Sequence, residues 1–181
     1  MVRYQKRSLT CCDTIDEKHF LGADKMNIRR AQIKDIPAII KLLSEVLELH
    51  AAIRPDIFKP GTTKYTNDEL AKLIKDDQKP IYVAVNDEDE VLGYVFTQLQ
   101  EQPFSTNMVQ FKSIFIDDLC VDSAARSKGV GRALLDFVKE EGKRLGCYEI
   151  TLNVWAGNDS AIRFYEKNGL KTKETTMEYI L

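Results

Sequence analysis

Apolar side chains at Ile36, Ile39, Ile40, Leu43, Val46 and Leu47 recur every three or four residues, the spacing that places them on one face of an α-helix. Asp35 stands at the N-cap position and Pro37 in the first turn, so a helix is expected from Ile36 to about His50. "AAIRPDIFKPGT" interrupts the pattern with two prolines and a glycine, and "TNDELAKLIKDD" predicts a second, shorter helix opened by Thr66 or Asn67. Ahead of these, "MNIRR" reads as a strand beginning at Met26. The pattern then changes to β-branched and aromatic runs: "IYVAV" and "VLGYVFTQLQ", separated by the acidic turn "NDEDE", predict a hairpin. "FKSIFIDDLCV" predicts a further long strand. Val130, Leu134, Phe137, Val138 and Leu145 return to helical spacing, ending near Gly146. "YEITLNVW" predicts a strand, "NDSAIRFYEKNG" a helix that starts at Asn158 or Asp159 and stops at Gly169, and "LKTKETTMEYI" a closing strand.

The expected order is β, α, α, β, β, β, α, β, α, β, a mixed α/β (α+β) arrangement with antiparallel hairpins in the middle and alternating helices and strands near the end. Residues 1–25 show no sustained period, which predicts an extension before a compact domain spanning 26–181. No internal repeat or low-complexity segment interrupts that domain.

Composition adds boundaries. A chain of 181 residues with 44% apolar residues is one domain long and can bury a core. A charged fraction of 30% with a net charge of −2 gives no overall basic footprint, so neither nucleic acid nor an anionic membrane is an expected partner. The four cysteines form no CxxC pair and no metal-ligand spacing; Cys120 and Cys147, each within a strand-like run, are expected as small buried hydrophobes. No metal is expected. No run approaches the roughly 18 apolar residues of a membrane span, and the N-terminus lacks a signal-peptide core, so a cytoplasmic location is expected.

The stretch "DLCVDSAARSKGVGRALLDF" concentrates candidate chemistry. Gly129 and Gly131 let a backbone approach an anion, the following helix start offers unpaired N–H donors, and Arg126, Lys128 and Arg132 add local charge, a combination suited to phosphate. A Walker A loop requires GxxxxGK[ST], which the chain lacks. A dinucleotide loop requires GxGxxG, and Leu134 stands where the third glycine belongs. A tight turn without a ligand is the alternative.

The same stretch resembles the signature of the GNAT superfamily of acetyl-CoA-dependent N-acetyltransferases, an L-x-V-like triplet closing a strand and then [QR]-x-x-G-x-[GA] opening a helix. Leu119, Cys120 and Val121 match the triplet; Arg126, Gly129 and Gly131 match the loop. A second block, an Asn-led helix carrying "FYEKNGF", is matched by "NDSAIRFYEKNGL", with Leu170 where phenylalanine is usual. The resemblance covers roughly Met26 to Leu181. It implies a central, mostly antiparallel sheet with a splayed parallel strand pair and helices on both faces. It also implies that the backbone of Leu119, Cys120 and Val121 pairs with the pantetheine arm of acetyl-CoA, the acyl-donor substrate. The amides of Ser127, Lys128, Gly129, Val130, Gly131 and Arg132 would hold the pyrophosphate. Asn153 would lie near the splay, and Asn158 would reach the cofactor, although it is also a good helix N-cap. Dimerisation is common in the family, so a homodimer is a further expectation.

Amide formation from a thioester needs a neutral amine, a donor to the developing oxyanion and a proton for the departing thiolate. By resemblance Tyr165 is the acid; its phenol, with a pKa of about 10, is a reasonable donor to a thiolate whose acid lies near 8.5. Packing against Ile162 and Phe164 is its alternative role. The Val121 N–H is the expected oxyanion donor. Asp117 and Asp118 are candidate bases, but alternation along a strand predicts that they point to opposite faces, with Asp118 on the side of Cys120 and Asp117 on that of Leu119 and Val121. His50 is a weaker candidate base, and Cys120 a weaker candidate acyl carrier. The acceptor walls are expected in "LHAAIRPDIFKPGTTKY" and "EQPFSTNMVQ", and the carboxylates of Asp56, Asp117 and Asp118 favour a cationic amine of a small molecule or peptide. A domain that binds acetyl-CoA without catalysis is the rival reading.

Overall fold

The computed structural model describes residues 26–181. The expected extension over 1–25, with Cys11 and Cys12, lies outside the described residues. The elements run β1 (Asn27–Arg30), α1 (Ile36–Ile53), α2 (Asn67–Leu73), β2 (Ile81–Val85), β3 (Val91–Glu101), β4 (Lys112–Val121), α3 (Val130–Arg144), β5 (Glu149–Leu152) and α4 (Asp159–Lys167), with short 3₁₀ turns at Ile33–Asp35 and Ser123–Ala125. The five strands form one sheet in sequence order; β1 to β4 are antiparallel and β5 joins β4 in parallel.

Strand alternation divides the core in two. Ile81, Val83 and Val85 of β2, with Tyr94 and Phe96 of β3, meet Ile36, Ile39, Leu42 and Leu43 of α1 and Leu70 of α2. Ala84 and Val95, on the opposite face, meet Val130, Leu134, Leu135 and Val138 of α3, against which Phe164 and Tyr165 of α4 also pack. Helices therefore cover both faces, and each face buries the apolar stripe of its helix.

Local sequence explains the element ends. Thr66 accepts from Glu69 N while the Glu69 carboxylate accepts from Thr66 N at 2.8 Å, a capping box that starts α2. Asn158 accepts from Ala161 N at 3.3 Å and starts α4. Gly169, with φ of +88°, follows α4 in the left-handed conformation that helix C-termini favour. Asp35 occupies the N-cap of α1 without capping it; its carboxylate accepts from Gln32 N and from Arg29, tying β1 to the helix start.

Two expectations about strands change. β5 ends at Leu152, three residues short of the apolar pattern, because the chain turns away there. Residues 170–181 form no strand. The alternation in "LKTKETTMEYI" is not matched by a ladder along β5, which is only four residues long. The segment is held instead by side chains, Lys173 on Glu149 and Arg54 on Glu178, and Met177, Tyr179 and Ile180 are exposed.

Candidate active site

The site begins where two strands part. β4 and β5 pair only from Ser113 with Glu149 to Ile116 with Leu152. Beyond that point β4 continues along β3, through Leu119 with Val95 to Val121 with Gly93, with its other edge free of β5. A free strand edge presents backbone N–H and C=O groups to an extended chain, which is the chemistry a pantetheine arm requires.

At this opening β4 carries a bulge. Phe96 pairs with Asp118 but Thr97 pairs with Ile116, so Asp117 is an extra residue with no partner of its own on β3. Alternation restarts one residue out of step. Ile114 and Ile116 face α3, whereas Cys120 faces α1, and Leu119 and Val121 pack on the α3 side. Asp117 and Asp118 consequently face the same side, that of α1 and α2. The sequence expectation of opposite faces is corrected, since an unbroken period of two does not pass through the bulge.

Asp117 meets a cation whose charge also reaches Asp118. Lys64, in the segment between α1 and α2, places Nζ 2.7 Å from Asp117 Oδ2 and 5.5 Å from the centroid of the Tyr65 ring. Burial works against the Lys64 charge, but Asp117 outweighs it and the ammonium pKa is raised. Asp118 accepts a hydrogen bond from the buried Tyr94 hydroxyl at 3.1 Å. Burial pushes the Asp118 carboxyl up to about 6 against the opposing effects of Lys64 and Tyr94. A carboxylate with that pKa is ionised at neutral pH yet basic enough to take a proton.

Tyr165 is on α4, half-buried at the same opening, with its phenol pushed up to about 12 by burial and then by the Asp118 charge. Burial that raises a phenol also raises a thiol, so the two remain matched more closely than the phenol's shift alone suggests. Cys120 is buried, with Sγ 3.8 Å from the Leu42 carbonyl oxygen, and its thiol is pushed up to about 12. A thiol so disposed is a poor nucleophile at neutral pH. The His50 pKa is lowered by burial and by Lys64, and its ring lies 5.1 Å from Phe58. Phe58 in turn meets the edge of Trp155, over which Arg54 is placed at 5.6 Å. Arg54 holds Asp56 through two hydrogen bonds, of 2.9 and 2.6 Å, so part of the Asp56 charge is already answered within the loop.

The glycine-rich segment follows β4 directly. Ser127 and Gly129 adopt φ of +64° and +84°, turning the chain so that α3 starts at Val130 with Gly129 as N-cap. The first intrahelical bond runs from Ala133 N to Gly129 O, which leaves the N–H groups of Val130, Gly131 and Arg132 as the unpaired donors of the helix start. Lys128 and Arg132 lie beside them, and Arg126 donates from Nε to the Val121 carbonyl oxygen at 3.3 Å, fastening the loop to the strand end. A Cβ on Gly131 would stand 3.4 Å from Phe164 and 3.5 Å from Val121. The loop thus has donors, cations and bare backbone in one place, a fit for a pyrophosphate. Asn153 is exposed just past β5, and Asn158 is occupied as a cap, also accepting from Ser160 Oγ at 3.1 Å.

Lys64, Tyr94 and Gly93 of this site were not singled out by the sequence pattern. Tyr94 reads as one more aromatic in a hydrophobic strand. Gly93 lies so near β4 that a Cβ would sit 2.8 Å from the Cys120 carbonyl oxygen. A glycine inside a strand is itself a signal of close backbone approach.

A parallel strand pair that parts beside a glycine loop and helix start is the arrangement that the sequence resemblance implied. The acetyltransferase (GNAT) family model matches residues 43–170, and the chain belongs to that family. It is 28% identical over 157 residues to an uncharacterized N-acetyltransferase, YhfO, of Bacillus subtilis, covering 86% of this chain and 97% of that protein. It is 30% identical over 105 residues to the peptidyl-lysine N-acetyltransferase YjaB of Escherichia coli, covering 57% and 58% of the two chains. A crystal structure of a single-residue mutant of the BH1408 protein of Bacillus halodurans superposes with a TM-score of 0.82 at 29% identity, over 86% of this chain and 99% of that one. Among the described residues no helix is long and apolar enough to cross a membrane, and no cluster of three or more potential ligands suits a metal ion.

Proposed function

We propose that the protein transfers the acetyl group of acetyl-CoA to a primary amine of a small molecule or peptide, by direct attack of the amine on the thioester. The observation that carries this reading is the convergence, at one strand opening, of the free edge of Leu119–Val121, the donor-rich segment 127–132 and the Asp118–Tyr165 pair. The amides of Val130, Gly131 and Arg132 hold the pyrophosphate, with Lys128 and Arg132 adding charge. The backbone of Leu119 to Val121 aligns the pantetheine arm, and the Val121 N–H faces the thioester oxygen. Asn153 and Asn158 border the same groove.

In the reaction, Asp118 accepts the proton of the incoming ammonium, directly or through a water. Asp117, on the same side of the bulge, adds negative charge that attracts a cationic acceptor. Tyr165 donates to the departing thiolate. Buried Tyr94 and Phe96, with half-buried Tyr65 stacked on Phe96, shield one side of this centre from bulk water, which strengthens each of these interactions. A primary amine is also the acceptor class named for the peptidyl-lysine relative.

The test is acetyl-CoA-dependent thiol release against pooled amines: peptide amino-termini, lysine peptides, polyamines, amino acids and aminosugars. Release above the no-amine rate, lost in Tyr165→Phe, supports the reading; acetyl-CoA binding without release for any pool contradicts it.

A further inference from the structure

Lys64 is placed as an acceptor amine should be. Its Nζ touches Asp117 at 2.7 Å, its charge acts on Asp118, and Asp118 in turn acts on Tyr165. Asp117 and Asp118 immediately precede the free edge along which the acyl donor is proposed to lie. An amine of the protein itself is therefore hydrogen-bonded to Asp117, beside the Tyr94-bonded carboxyl of Asp118, while Tyr165 packs on the other side of the same strand with Leu119 and Val121. The side chain is 40% exposed and stands on an irregular segment between two helices, so its four-carbon stem has room to move.

We propose that Lys64 is an acetyl acceptor within its own chain, taking the acetyl group of acetyl-CoA on Nζ. This rests on the acetyl-CoA reading above. The ammonium loses one proton to Asp118; the Nζ–carbon bond forms as the carbon–sulfur bond breaks; the thiolate leaves with the proton of Tyr165, and the second proton shed by the nitrogen returns to the Tyr165 phenolate. The products are Nε-acetyl-lysine and CoA, with one proton released to solvent as Asp118 and Tyr165 return to their starting states. A tethered amine needs no binding step of its own, since its local concentration is set by the chain. The ion pair with Asp117 keeps Lys64 charged most of the time, which suits a slow single event per molecule and not a cycle. Once acetylated, the side chain has no charge to hold Asp117, and the two carboxylates share the cleft with no cation beside them, Asp118 keeping its bond from Tyr94. Self-acetylation would thus convert an internally neutralised site into one that attracts cationic amines.

The full chain is incubated with isotopically labelled acetyl-CoA at several protein concentrations, and labelled lysines are mapped by peptide mass spectrometry. The urea-unfolded chain supplies the chemical background. Lys64 is expected to label at least about tenfold faster than exposed lysines such as Lys143, reflecting its tethering at the site. Its rate should be independent of protein concentration, suppressed by excess CoA and slowed by Tyr165→Phe. Labelling at the unfolded-chain rate, or at a rate proportional to protein concentration, overturns the proposal. An external amine acetylated in the same solution while Lys64 stays unlabelled overturns it and leaves the acetyltransferase reading standing. Bound acetyl-CoA with neither Lys64 nor any amine labelled overturns both.

Discussion

Tyr94 and Asp118 lie diagonally across β3 and β4, two residues out of register, with the Tyr94 hydroxyl donating to Asp118 Oδ2 at 3.1 Å. Burial favours the neutral form of the carboxyl, while the Lys64 charge and then this hydrogen bond favour the charged one, with the balance at about 6. The base must be ionised to work, so kcat/KM should fall as pH drops through about 6. Tyr94→Phe removes the bond that favours the charged form and should move that limb upward by about one pH unit. A rate profile from about pH 5 to 8 on both proteins measures the shift; an unmoved limb would assign the titration to another group.

Asp118 also links activity to stability with opposite signs. Its folded pKa is raised above the unfolded value of about 3.9. The stability it contributes is therefore complete below about pH 4 and lost as pH rises through about 6. Asp118→Asn, which needs no ionisation, should raise stability at about pH 7 by roughly 1–3 kcal/mol while lowering kcat by about two orders of magnitude. Urea titrations at about pH 4 and about pH 7 check it: the stability gain should be present at the higher pH and absent at the lower.

Tyr165→Phe keeps the ring against Phe164, whose centroid is 5.1 Å away, and removes only the proton donor. Turnover should fall about a hundredfold with the dissociation constant for acetyl-CoA changed less than about threefold. Stopped-flow single-turnover rates, beside calorimetric binding, separate the two quantities. Unchanged turnover at saturation would leave Tyr165 a packing role only.

Gly93 and Gly131 should respond differently to added side chains. Gly93→Ala drives a Cβ to 2.8 Å from the Cys120 carbonyl oxygen, so the strand end must move; a stability loss of about 1–3 kcal/mol and weaker acetyl-CoA binding should appear together. Gly131 has ordinary contact distances of 3.4–3.5 Å around a Cβ, so Gly131→Ala should fold normally. Gly131→Val adds a branched side chain beside Phe164 and Val121 and should weaken acetyl-CoA binding about tenfold or more. Calorimetry on the three variants distinguishes a shifted strand from a filled loop.

The helices and the loop were legible in the sequence because their signals are local. The three-and-four spacing from Ile36 to Leu47, the Thr66 and Asn158 caps and the glycines at 129 and 131 each report on a few neighbouring residues. The bulge was not legible, since Asp117 becomes an extra residue only in relation to the residues of β3 opposite it. Tyr94 was hidden for a similar reason: nothing in "VLGYVF" says which aromatic finds a carboxylate across the sheet. The closing segment misled in the opposite direction. A strand-like composition expresses what a segment can do, and a ladder also requires a free edge of matching length.

β4 is in effect two strands spliced out of phase. Its first half obeys one parity and its second half the other, so a substitution scan that treats Lys112–Val121 as a single periodic unit will exchange the α1 layer for the α3 layer at its midpoint. Deleting Asp117 would bring the halves back into step, and whichever half kept its place, the other would present its core residues to the wrong layer. Sequence alignments of such a strand carry the same hazard: a relative without the extra residue, aligned with no gap opposite Asp117, has every side chain beyond that point assigned to the wrong layer.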